Sequence, residues 1–145
     1  MILVDSGPLI AAAIREQPAN HPCVEMFTGL RLARRRLLVP ATVAAEVGFM
    51  LEKLGGTRAE TAFLRALGQR DFTAVDLTPI DYSRMAELVE QYDDLPLGTT
   101  DASVIALAER FGITEIATLD RRHFTAVRPR HVSALTLLPE RLASM

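Results

Sequence analysis

A chain of 145 residues with 49% apolar content is long enough for one domain with a real core, burying roughly 68–70% of the surface its unfolded form exposes. No uncharged apolar stretch approaches the ~18 residues of a membrane span, and a single cysteine, Cys23, excludes an internal disulfide and a Cys/His zinc site, so a soluble cytoplasmic domain over 1–145 is expected. The net charge of −2 conceals a segregation: residues 1–120 carry 11 bases and 17 acids, whereas residues 121–145 carry five bases and one acid.

MILV (1–4) is an apolar run of the buried-strand type, and DSGP after it has helix-start chemistry, with Pro8 acceptable in a first helical turn. PLIAAAI continues as a short helix broken near Pro18, and Pro22 sits near the start of a second helical stretch through about Arg35. RLLVP (36–40) reads as the next strand. Val43, Val47, Met50, Leu51 and Leu54 then recur at one-face helical spacing, which places Glu46 on the edge of their stripe, until Gly55-Gly56. Residues 57–68 form another helix, FTAVDL (72–77) a strand, and 79–91 a helix with Thr78 as N-cap. Residues 101–111 are helical through Val104, Leu107, Ala108 and Phe111, with Gly112 as the stop, and ITEIATL (113–119) is a strand ending at Asp120. VSALTLL (132–138) is the last strand-like run. Strands alternating with helices predict an α/β sandwich on a mainly parallel sheet.

In such a sheet ligands bind outside the carboxyl ends of the strands. Asp5 and Asp120 each follow a strand, and Asp101 and Glu46 each lie beside the apolar face of a helix. Like charges at about 4 Å repel by roughly 4 kcal/mol at an effective dielectric near 20, a large burden on a domain stable by ~5–15 kcal/mol. Four converging acids therefore need a cation or shared protons, and oxygen ligands without His or Cys favour Mg²⁺ or Mn²⁺. Each acid also has a local alternative: Asp5 or Ser6 as a helix cap, Glu46 as a solvated helix residue, Asp101 as a first-turn acid, Asp120 as the opening of a turn.

VDSGPLIA (4–11), PATVAAEVGFML (40–51), PLGTTDASVIALAERFG (96–112) and IATLDRRHF (116–124) resemble, in order and over nearly the whole chain, the four acidic motifs of PIN-domain nucleases of the VapC toxin branch. The resemblance implies a three-layer α/β/α fold and a homodimer. It implies an Mg²⁺- or Mn²⁺-dependent endoribonuclease that leaves a 5′-phosphate and is blocked by a small antitoxin. By it the metal-binding and catalytic acids are Asp5, Glu46, Asp101 and Asp120, supported by the hydroxyls of Ser6 and Thr118, with Arg121 and Arg122 as RNA contacts. Asp5-Ser6-Gly7 departs from the more frequent Asp-Thr-Ser, and Asp93-Asp94 is an additional acidic pair, read as a loop feature.

Four other readings compete. A haloacid-dehalogenase-type phosphatase needs a second Asp where Gly7 stands, and a response-regulator receiver needs a lysine after a late strand, whereas Lys53 lies in a helix. A metal-free ribonuclease would use His123 and His131 as acid and base and would survive EDTA. A catalytically inactive PIN-like module that only binds RNA or protein would keep the fold without the reaction.

Overall fold

Apolar runs punctuated by helix starts produce the expected alternation in the computed structural model, which describes residues 1–140. In chain order the elements are β1 (Ile2–Val4), α1 (Ser6–Ala13), α2 (Asn20–Leu32), β2 (Leu37–Pro40), α3 (Ala41–Gly68), β3 (Thr73–Val75), α4 (Pro79–Gln91), α5 (Thr99–Phe111), β4 (Glu115–Ala117), α6 (Arg121–Ala126) and β5 (Thr136–Leu138). The strands make one sheet in the order β3-β2-β1-β4-β5. All pairings are parallel, with Leu3 opposite both Leu38 and Ile116. From β1 the chain builds outward through β2 and β3, then crosses back to place β4 on the other side of β1. The carboxyl ends of β1 and β4 thus flank a topological switch point, where open α/β sheets form their crevice.

An all-parallel sheet must be covered on both faces. Every residue of β1 and β2 is buried, whereas the edge strands β3 and β5 are only partly so. Helix α5 is enclosed almost all round: Ala102 to Ala108 are buried without exception. It touches β1 and β2 and packs along α4, while α1 packs on α2 and α3, giving the α/β/α arrangement. The α4–α5 contact is pinned by a two-pronged ion pair, with Arg84 Nε 2.7 Å from Glu109 Oε1 and Nη2 3.0 Å from Oε2. Thr78 caps α4 as expected and Asp81 returns the bond to the Thr78 N–H, closing a capping box. Cys23 is wholly buried, a packing residue. Among the described residues no helix is long and apolar enough to cross a membrane.

The departures are local. The two helical stretches around Gly55-Gly56 are joined into α3 by a kink at Gly56, whose φ of 72° and ψ of −169° suit glycine alone. The strands expected over 72–77, 113–119 and 132–138 shorten to three residues each. Their flanks serve other ends: the Asp76 carbonyl accepts from Arg110 Nη2, and Thr118 turns its hydroxyl to the Asp5 carboxylate. Residues 121–126, expected only as a turn after Asp120, form α6.

Candidate metal centre at the carboxyl edge of the sheet

Asp5 leaves β1 at the N-cap position of α1, yet its side chain makes no capping bond to that helix. Its backbone N–H donates to the Ala117 carbonyl at 2.9 Å, continuing the β1–β4 ladder by one step. Its Oδ2 accepts from the Thr118 hydroxyl at 2.8 Å, and that hydroxyl oxygen in turn accepts from the Asp120 N–H at 3.0 Å. One buried threonine therefore fixes Asp5 and sets the backbone that carries Asp120. Ser6 supplies its backbone N–H, which draws the Asp5 pKa down, rather than the hydroxyl suggested by the motif.

Asp120 starts α6 as a working cap: Oδ1 accepts from the His123 N–H at 3.0 Å, and Oδ2 lies 2.6 Å from His123 Nδ1. The other ring nitrogen of His123 is 3.0 Å from the Pro96 carbonyl, in the turn that leads to α5. Asp101, in the first turn of α5, approaches from that side. Asp101, Asp120 and His123 each offer one ligand atom, and those atoms lie within 4.8 Å of one another. A 2.6 Å bond between the hydroxyls of Thr42 and Ser103 ties the start of α3, which carries Glu46, to α5.

The electrostatics reflect this crowding. Burial, reinforced by Asp101 and Glu46 against the hydrogen bonds from Ser6 and Thr118, pushes the Asp5 carboxyl up to about 6. Asp101 is raised too, first by burial and then by the Asp120 and Glu46 charges, with His123 opposing. The Asp120 carboxylate beside His123 raises the imidazole. Two carboxyl groups held above their ordinary range at one edge are a donor set that a hard divalent cation fits, because the ion would relieve the repulsion.

Of the four predicted acids, Asp101 and Asp120 meet, and Asp5 is tied to the Asp120 backbone through Thr118 and lies close enough to feel the Asp101 charge. Glu46 stands exposed on α3 but close enough for its charge to act on both Asp5 and Asp101. Asp93 and Asp94 lie exposed in the turn before α5. Arg121 and Arg122 are engaged by backbone: Arg121 donates to the Pro139 and Glu140 carbonyls, Arg122 to the Leu95 carbonyl. The sequence suggests His123 only as half of a metal-free acid–base pair with His131. That pair does not form, because His131 Nε2 bonds the Ile113 carbonyl at the other end of β4. The actual place of His123, three residues after Asp120, is legible only once a helix is expected there.

A model of the PIN domain matches residues 2–128. The chain is 30% identical over 141 residues to ribonuclease VapC26 of Mycobacterium tuberculosis, covering 95% of this chain and all of that one. Among solved structures it resembles VapC20 of M. tuberculosis, a sarcin–ricin loop-cleaving toxin, with a TM-score of 0.71 and 16% identity over 80% of this chain and 87% of that one. It also resembles FitAcB of Neisseria gonorrhoeae, with a TM-score of 0.66 and 19% identity over 94% and 96% of the two chains. These structural likenesses carry the fold, and the family model together with the VapC26 relationship carries the family: this chain belongs to the PIN-domain family, in its VapC-type ribonuclease branch.

Proposed function

We propose that this protein is the toxin of a toxin–antitoxin pair, a single nuclease domain over 1–145 that cuts RNA endonucleolytically with Mg²⁺ or Mn²⁺. The observation that carries the reading is the meeting of Asp101 and Asp120 beside a buried Asp5 whose pKa is pushed up to about 6. Asp5, Asp101 and Asp120, with Glu46 at the rim, would hold the ion, which when bound supplies a more acidic water and a counter-charge for the scissile phosphate. The protein's part is positional. Thr118 and the Ser6 N–H fix Asp5, the α5 first turn fixes Asp101, and His123 braces Asp120 against Pro96. RNA is the substrate and a cognate antitoxin the inhibitor, in a cytoplasmic homodimer. These roles come with the family, and the acidic edge is where inhibition would act.

The test is cleavage of RNA by wild type and Asp101→Asn with Mg²⁺ or Mn²⁺. Replacing a ligand should reduce the rate by more than the roughly 10–100-fold expected when a supporting partner is removed. Equal cleavage by both proteins would sink the metal-nuclease assignment, and absence of cleavage by wild type with either ion would favour the inactive binding module.

A further inference from the structure

At the amino edge of the sheet, opposite the carboxylates, a cleft of about 540 Å³ is lined by Arg31, Arg34, Arg35, Arg36 and Arg70, with Asp71 as its acid. It lies where α2 hands over to β2 and where α3 hands over to β3. Arg35 is paired with Glu115. Arg31, Arg34, Arg36 and Arg70 are exposed and, among the described residues, make no ion pair.

Two of these arginines occupy backbone positions that favour glycine. Arg34 has φ of 57° and Arg70 φ of 63°. The turns around them are alike: the Arg35 N–H bonds the Leu30 carbonyl at 2.9 Å, and the Asp71 N–H bonds the Ala66 carbonyl at 3.0 Å. A helix carboxyl end welcomes one positive charge. That explains neither five arginines around one cleft nor two of them in left-handed conformations.

We infer that this cleft is a second RNA-binding surface, taking phosphates of the substrate strand away from the cleavage site. The inference rests on the ribonuclease reading. Guanidinium forks match phosphate oxygens in pairs, and strands β2 and β3, about 4.8 Å apart, spread the arginines into a row rather than a point. The chain as a whole carries −2 and gathers acids where cleavage occurs, so a polyanion must be drawn in elsewhere. Arg121 and Arg122, next to the acids, already donate to backbone carbonyls. Residues 2–4 of β1 separate the two edges, only about 10–13 Å of strand, so a folded RNA can reach both.

The experiment introduces Arg34→Gly and Arg70→Gly together into the Asp101→Asn protein and measures binding of a long structured RNA across a salt series. Glycine is the residue this backbone prefers, so the melting temperature should hold or rise and misfolding cannot account for weaker binding. Affinity should fall, and the slope of log affinity against log salt should flatten by about 0.7–0.9 for each phosphate no longer held, about 1.4–1.8 for both. Unchanged affinity and slope would overturn the inference. It would also fall if tripolyphosphate or poly-glutamate bound the cleft in an arginine-dependent way while RNA binding stayed the same. In an otherwise wild-type chain the double substitution should leave metal-dependent cleavage of a short oligonucleotide at its normal rate, and a matching fall there would overturn the separation of the two sites. If wild type cleaved no RNA with either ion, the ribonuclease reading would fail by itself, and the binding comparison would still decide whether the arginines hold RNA.

Discussion

Asp5→Asn, studied in EDTA, isolates the energetic consequence of packing carboxylates at the sheet edge. Asp5 is 5% exposed, and its carboxyl is raised from 3.8 to about 6 by burial first and by Asp101 and Glu46 next. The folded state thus holds the Asp5 proton more tightly than the unfolded chain does, by roughly 3 kcal/mol at 1.36 kcal/mol per pKa unit. Because the folded value is the higher one, this stability is fully present below the unfolded pKa and is lost as pH rises from about 3.8 through about 6. Asparagine removes the charge and keeps an oxygen to accept from Thr118, while its amide can donate toward the neighbouring carboxylates. At pH 7 in EDTA the variant should therefore be more stable than wild type by up to about 3 kcal/mol, a melting temperature roughly 6–12 °C higher. The gap should shrink to under about 1 kcal/mol near pH 4. Mg²⁺ or Mn²⁺ at about 1,000 times its Kd should reverse the order, since it adds about 4.1 kcal/mol to the protein that binds it. Denaturant melts at several pH values, with and without the ion, read all of this. A variant less stable than wild type at pH 7 in EDTA, or a difference that does not vary with pH, would refute the reasoning.

Other substitutions probe the scaffold that presents these acids. Arg84→Ala leaves Glu109, whose side chain is 11% exposed, without its two-pronged partner. The destabilisation should be about 3 kcal/mol, at the lower end for a broken buried pair because the Arg130 N–H still reaches Glu109, and a urea melt would show it. Gly56→Ala forces a side chain into a backbone region that suits glycine alone and should lower stability by about 1–3 kcal/mol, with a correspondingly lower denaturation midpoint.

The sequence exposes the parts of the fold that depend on near neighbours. Apolar MILV before DSGP, the Thr78 cap before Pro79, and Gly112 after Phe111 are local signals, and each marks an element that forms as expected. The order of the four acidic motifs allows the site to be placed because Asp5 and Asp120 follow strands that turn out to be adjacent. What stays hidden depends on register and distance. The Thr118–Asp5 bond joins residues 113 apart and exists only because β1 and β4 pair with Val4 opposite Ala117. Helix α6 carries Arg-Arg-His with one buried apolar side chain, Phe124, so it has no amphipathic period to betray it. Without α6, the relation between Asp120 and His123 has no reason to be considered.

Asp5 and Asp120 occupy the same formal position, the residue before a helix, and use it differently. Asp120 spends one carboxylate oxygen on the N–H of His123, as a helix cap should. Asp5 takes the adjacent Ser6 N–H but makes no capping bond further into the first turn of α1, and turns Oδ2 toward β4, into a setting that burial and two other acids make unfavourable for its charge. A residue selected only to begin a helix would gain from the capping bond and would avoid that setting. The geometry at Asp5 is therefore better explained by a ligand that needs the carboxylate than by the helix that follows it. Thr118 is the side chain that keeps it there: its hydroxyl donates to Asp5 and accepts from the Asp120 backbone, so the strand that delivers one acid also orients the other.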